Sequence, residues 1–203
     1  MVRSVIMGFA KKTTYYTGTV YEFNLPTGWS CPFALECLVK VDKVSGKMEN
    51  KSDAYRCYAA SAERFPGVRN SRWNNFEAAK RGEIPELPKQ AKHVRIHMSG
   101  DFFSQDYFDS WLEYCREHPS VEFWAYTKSL SYWVKRIDQI PENLVLTASY
   151  GGRSDHLIAE YNLKSATVVS KKEAESDQRP IDYNDDLART PFVSFLLIDN
   201  NER

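Results

Sequence analysis

The sequence predicts an α/β protein whose parallel strands form a partial, open barrel with covering helices. Three observations lead there. Beyond Pro88 the chain alternates short β-branched and aromatic runs with amphipathic stretches, the pattern of a parallel sheet with crossover helices. Within the strand runs, residue parity divides the side chains: Val94, Ile96 and Met98 oppose Arg95, His97 and Ser99, while Val121, Phe123 and Ala125 oppose Glu122, Trp124, Tyr126 and Lys128. A parallel sheet covered on both faces is apolar on both. The polar set is therefore expected to line a cavity, like the lumen of a partial barrel, the alternative being a face open to solvent. Finally, 203 residues suit one hydrophobic core, so residues 1–203 are expected to form a single domain.

The elements follow in order. GTVYEFNLP, Gly18 to Pro26, mixes β-branched and aromatic residues and ends at a proline, as a strand does. A long cysteine-bearing loop at about 27–66 follows, charged and turn-rich, with room for a short helix. Loops of such length in compact domains are commonly functional or disordered. A helix is expected over Arg72 to Arg81, stopped by Gly82. The first strand of the repeating part is Val94 to Met98. Its helix starts at the N-cap Ser104 and aligns Phe108, Trp111, Leu112 and Cys115 on one apolar face. Val121 to Thr127 is the next strand, and the helix after Ser129 aligns Leu130, Trp133, Val134 and Ile137. Leu144 to Tyr150, a short helix near Asp155 to Tyr161, the strand ATVVS and a final strand in PFVSFLLI complete the pattern.

Composition narrows the function classes. Hydrophobic residues make up 42% and charged residues 27%, so the chain should fold rather than stay disordered. No apolar run approaches a membrane span and no signal sequence is evident, so a cytoplasmic protein with no membrane partner is expected. The formal net charge is zero, yet residues 1–93 carry fifteen Lys and Arg against nine Asp and Glu, which leaves the front half basic. That bias is diffuse and resembles no nucleic-acid-binding stripe.

In a reducing compartment four cysteines read as ligands, core residues or reactive thiols rather than disulfides. Cys115 sits on an apolar helix face and fits a small core residue. Cys31, Cys37 and Cys57 lie in or beside the long loop, spaced C-x5-C-x19-C. That spacing lacks the close cysteine or histidine pairs of structural zinc sites, whereas an iron-sulfur cubane is held by thiolates. His97 could be a fourth ligand, a donor to the cluster or a hydrogen-bonded core residue. Asp101, Lys128 and Ser149 fall at carboxyl ends of strands, where ligands gather in parallel α/β folds. Lys128 with Tyr126 could hold a carboxylate or phosphate. The turn Gly151-Gly152-Arg153 could cradle an anion or simply be a loop, and the carboxylates Asp185 and Asp186 read as solvated rather than metal-binding.

Longer strings carry a family likeness. SCPFALEC, RCYAA, VRIHMSGDFFSQDYFDSW, FWAYTKS, DDLA and SFLLI resemble the bacteriophage gene product 88 type of protein, over most of the chain. Such proteins in turn resemble radical-SAM enzymes. The resemblance implies one [4Fe-4S] cluster on Cys31, Cys37 and Cys57, with S-adenosylmethionine as a further cofactor. Ser99, Gly100 and Asp101 stand where the small-Gly-acid motif near the S-adenosylmethionine amino group would be. The usual radical-SAM spacing is C-x3-C-x2-C, so residues 38–56 read as an insertion. A redox or radical role with a redox partner or small-molecule substrate is thus implied; the alternative is a zinc-stabilised, nucleic-acid-associated phage protein without catalysis.

Overall fold

The computed structural model describes residues 7–50 and 57–199. Residues 51–56 of the expected loop lie outside the described residues. In chain order the strands and helices begin with β1 (Ala10–Lys12), β2 (Val20–Phe23), β3 (Val39–Val41) and β4 (Met48–Asn50), followed by a 3-10 turn at Tyr58–Arg64 and α1 (Pro66–Ala79). Next come β5 (His93–Ile96), α2 (Gln105–Glu117), β6 (Glu122–Thr127), α3 (Leu130–Val134), β7 (Leu144–Ser149) and α4 (His156–Glu160). The chain ends with β8 (Ser165–Val169), α5 (Lys171–Ser176), α6 (Asp186–Arg189) and β9 (Phe195–Ile198).

One sheet runs in the order β1-β2-β5-β6-β7-β8-β9. β1 pairs antiparallel with β2, and every other neighbouring pair is parallel. The order never reverses, so each crossover adds its strand at the same advancing edge. Because such crossovers share one hand, the helices on the way from β2 to β8, α1 to α4, collect on one side. Phe76 of α1, Trp111 and Leu112 of α2, Leu130 of α3 and Ile158 of α4 all pack with Val94, Ile96, Phe123, Ala125, Leu144 and Leu146 of the sheet. This is the apolar parity read from the strands. Trp111, Phe108 and Phe123 are fully buried there, and each such side chain contributes about 1.5–3 kcal/mol by leaving water.

Local chemistry sets the helix ends. The Ser104 side chain accepts from Tyr107 N at the start of α2, the N-cap expected. α1 begins earlier than its apolar periodicity suggests, at Pro66, a residue preorganised for a first helical position. Its inward face carries Arg69, Arg72 and Asn75, all buried. Polar residues on the buried face conceal the helical period.

Three expectations are corrected. The stretch between Cys37 and Cys57 is not a plain loop, since β3 and β4 form an antiparallel hairpin and a 3-10 turn follows Cys57. The first strand of the repeating part stops at Ile96, because His97 has φ +64° and breaks the two-residue alternation. His97 thereby leaves the polar face and packs on the helix side against Phe102 and Trp111. Finally, the centre of the polar face is covered rather than open, while Glu122 and Tyr126 stay partly exposed. Arg95 and Trp124 are buried beneath Tyr16 and α6, which form a second apolar cluster with Val20, Ala166 and Phe195. Among the described residues no helix is long and apolar enough to cross a membrane.

Candidate metal centre

The cysteine loop is built onto the carboxyl ends of the strands. Beyond β2 and β5 the two chains stay together: Leu25 N donates to Ser99 O at 2.8 Å and Ser99 Oγ to Leu25 O at 2.8 Å. Asn24 Oδ1 accepts from both Met98 N and Ser99 N. Gly100 then turns with φ +89°, and a Cβ there would lie 2.5 Å from Ser30 Oγ and 2.6 Å from Leu25 Cβ. Only glycine lets the segment bearing Cys31 approach so closely. At the other end of the loop, Leu35 N and Glu36 N donate to Gly151 O at 3.2 and 3.1 Å, and Arg153 N donates to Phe33 O at 2.9 Å. The Cys31-to-Cys37 segment therefore bridges the ends of β5 and β7.

Cys57 arrives by a different route and is tied to the same rim. Tyr58 OH donates to Met98 O at 2.9 Å. Thr27 N donates to Glu63 Oε1 at 2.8 Å, and the same oxygen accepts from Arg72 Nη1 at 2.8 Å. Arg72 also donates to Ala59 O, while Arg69 donates to the carbonyls of Lys43, Val44, Glu63 and Arg64. Two buried arginines and a buried carboxylate thus fasten the hairpin, the 3-10 turn and the start of the cysteine loop to α1. Sequence reading missed this network, because charged residues in a loop and on a helix ordinarily face solvent.

All four cysteines are free; Cys31, Cys37 and Cys57 are partly exposed and Cys115 is buried. Burial pushes the Cys31 thiol well above its ordinary value, and the nearby charges of Asp101, Cys57 and Cys37 add to this. Burial and then Cys37 push Cys57 up to about 11. Each of the three thiols therefore lies within electrostatic reach of the other two. Among the described residues no group of three or more His, Cys, Asp or Glu side chains is arranged to hold a metal ion. Cys115 packs with Trp111 and Phe123 in the helix-side core. His97 Nε2 pairs with Tyr107 OH at 2.8 Å in that same core.

The remaining expected ligand-binding residues are gathered but engaged with one another. Asp101 Oδ1 accepts from Thr127 Oγ1 at 2.6 Å and Phe102 N at 2.8 Å, and Oδ2 accepts from Lys128 N at 2.8 Å. Burial raises Asp101 to about 6 against the lowering effect of those three donors. Lys128 Nζ donates to Ser149 O, Ser149 Oγ and Tyr150 O at 3.2, 2.6 and 2.6 Å, which uses all three ammonium protons. Asp101 and Lys128 thereby clasp the ends of β5, β6 and β7. Tyr126 points elsewhere, to Asp185 on the covered polar face. In the glycine turn, Gly151 N and Gly152 N donate to the Asp155 carboxylate, so an internal side chain takes the amides that an anion would need.

Comparison with known proteins places the chain. The Gene product 88 family model matches residues 7–200. The Gene 88 protein of Mycobacterium phage L5 is 28% identical over 149 residues, covering 64% of this chain and 56% of that protein. Its counterpart in Mycobacterium phage D29 is 28% identical over 131 residues, covering 55% and 48%. The chain thus spans about half the length of these relatives. No solved structure matches it significantly. With all the described residues inside the family match, the chain belongs to the Gene product 88 family of phage proteins.

Proposed function

We propose that the chain holds one [4Fe-4S] cluster on Cys31, Cys37 and Cys57, at the strand-end rim of a radical-SAM-like partial barrel, and serves a redox role. The observation that carries this reading is the convergence of three free thiols, from two stretches of chain, within one another's electrostatic reach. Thiolates are the donors that clusters take. Structural zinc takes four ligands with close Cys or His pairs, which the spacing C-x5-C-x19-C lacks. A cubane spreads its ligands over separate irons, so its thiols need not close on one point. This favours a cluster over zinc. The partial-barrel reading is supported by the unreversed strand order and by α1 to α4 packing on one face.

The cluster would supply one-electron chemistry. The protein's part is to hold the loop: Gly100 admits Ser30 beside Cys31, and Glu63 with Arg72 fastens Cys57's turn to the loop's start. His97 and Cys115 belong to the helix-side core, which leaves one iron without a ligand from either. Ser99, Asp101, Lys128 and Ser149 are committed to one another and to backbone. That commitment favours an electron carrier or sensor over a radical enzyme binding S-adenosylmethionine.

Anaerobic purification with iron and sulfide assays and a visible spectrum tests the reading. Iron and sulfide in equal amounts, with broad visible absorption, are expected. Replacing Cys31, Cys37 or Cys57 by Ser should abolish both, while Cys115→Ser should keep them. A colourless, zinc-loaded protein that binds DNA or RNA in a salt-dependent way would overturn it. Adding S-adenosylmethionine to the reduced protein should leave the EPR signal unchanged; a shifted signal would move the reading to the radical class.

A further inference from the structure

The covered polar face holds a carboxylate that its own helix does not use. Asp185 precedes α6 with φ +65°, and its side chain makes no capping hydrogen bond to that helix. It turns inward instead and is 2% exposed. There Oδ2 accepts from Arg95 Nη1 at 2.7 Å and from Trp124 Nε1 at 3.0 Å, while Oδ1 accepts from Tyr126 OH at 3.1 Å. A guanidinium, an indole and a phenol from two adjacent strands all donate to one carboxylate. Such charge-assisted bonds on rigid groups make a strong, directional carboxylate site.

The same face has hydrogen-bonding capacity that Asp185 leaves unused. Arg95 Nε and Thr147 Oγ1 are buried without a partner, and Thr147 lies beside Tyr126 in the sheet register. Unpaired buried polar atoms are rare and call for an explanation. The segment bearing Asp185 also has anchors on either side of it. Asp182 N donates to Leu196 O at 2.9 Å, and Lys164 Nζ donates to Leu187 O and Ala188 O at 2.8 and 2.7 Å. Between these anchors Tyr183 is 63% exposed and Asp186 is exposed. Lifting this tip withdraws Asp185 and breaks only the Arg189 N bond to Asp185 O and exposed bonds of Asn184 and Asp186, chiefly with Thr17 and Arg189, while the flanking anchors stay in place.

From this geometry we infer that Arg95, Trp124 and Tyr126 form a binding site for a carboxylate-bearing small molecule, with Asp185 as its built-in occupant that leaves when the ligand enters. One carboxylate replaces another, so the charge of the buried face is unchanged. A ligand larger than an aspartate side chain would also bring a polar group to Thr147 and to the free N–H of Arg95. The site adjoins the cysteine rim, because Arg95 Nη2 also donates to Tyr58 OH at 3.3 Å, next to Cys57. It does not depend on what the cysteines hold.

The test uses the full chain with Asp185→Gly, a change that suits the positive φ and empties the site. Acetate is the probe, and the readout is the NMR signal of the Trp124 indole N–H, identified by its loss in Trp124→Phe. Acetate should shift that signal saturably in Asp185→Gly, and at least about tenfold more weakly in the parent chain, where the competent state is a minor one. Acetamide should do nothing, and Arg95→Gln added to Asp185→Gly should remove the response. Hydrogen exchange at residues 183–186 of the parent chain should quicken with acetate, a readout that needs no variant. An unmoved indole signal, an equal effect of acetamide, or exchange at 183–186 indifferent to acetate would each overturn the inference. Repeating the titration with Cys31→Ser separates this outcome from that of the cluster, since the acetate response should persist.

Discussion

Acidification should destabilise the protein through His97. The ring is 3% exposed; its Nε2 pairs with Tyr107 OH and its Nδ1 has no partner. Burial depresses its pKa from 6.5 to about 3. The folded state therefore binds this proton less readily than the unfolded chain, so stability is complete above the unfolded value and falls as the pH drops toward 3. At pH 4.5 the loss comes to about 2.7 kcal/mol, from RT ln(1 + 10²) for a site still neutral when folded. The partner variant is His97→Asn, because asparagine tolerates the left-handed backbone and carries no titratable ring. Urea unfolding followed by tryptophan fluorescence at pH 7 and pH 4.5 gives the pH-dependent loss for each protein. Other titrating groups, Asp101 included, are common to both and cancel in the difference. The parent should lose roughly 2–3 kcal/mol more than the variant between the two pH values. Equal losses would refute the argument that this imidazole is held neutral by burial.

Further outcomes follow from the loop's fastenings. Glu63→Gln strips the counter-charge from buried Arg72 and should cost about 3–5 kcal/mol in urea unfolding. It also weakens the hold on Thr27 N, so Cys31 in apo-protein should react faster with a thiol reagent. Gly100→Ala forces a Cβ at φ +89° into Ser30 and Leu25, with a loss of roughly 2–4 kcal/mol from backbone strain and overpacking together. Its iron content after anaerobic purification should fall with it. Gly67→Ala is the matched control, since a Cβ there meets nothing within 4 Å; in the exposed first turn of α1 it should change stability by no more than about 0.5 kcal/mol.

The legible parts of this protein are those where one local rule suffices. Strand-then-helix alternation after Pro88 marks the parallel sheet, and the Ser104 cap with Phe108, Trp111 and Leu112 marks α2 and the face it buries. α1 was only half legible, because Arg69, Arg72 and Asn75 occupy its inward face and mask the apolar period. The hairpin of β3 and β4 escaped notice because its strands are three residues each, too short for alternation to register. At the candidate site, cysteine chemistry and strand-end position singled out Cys31, Cys37, Cys57, Asp101 and Lys128. Spacing alone could not say that Asp101 and Lys128 spend their hydrogen bonds on the fold.

Sequence by itself determined the α/β class, the parallel strands and the apolar face that receives the helices, because periodicity and capping are local and additive along the chain. Tertiary structure alone decided which polar side chains are buried and with whom. Asp185 read as a solvated acid until a left-handed turn pointed it at Arg95. His97 read as a residue of the polar parity that either serves a cluster or is a hydrogen-bonded core histidine, and its positive φ puts it in the core. A buried charge is tolerated only where other groups supply its partners, and partnerships between residues as far apart as 95 and 185 leave no periodic trace in the chain.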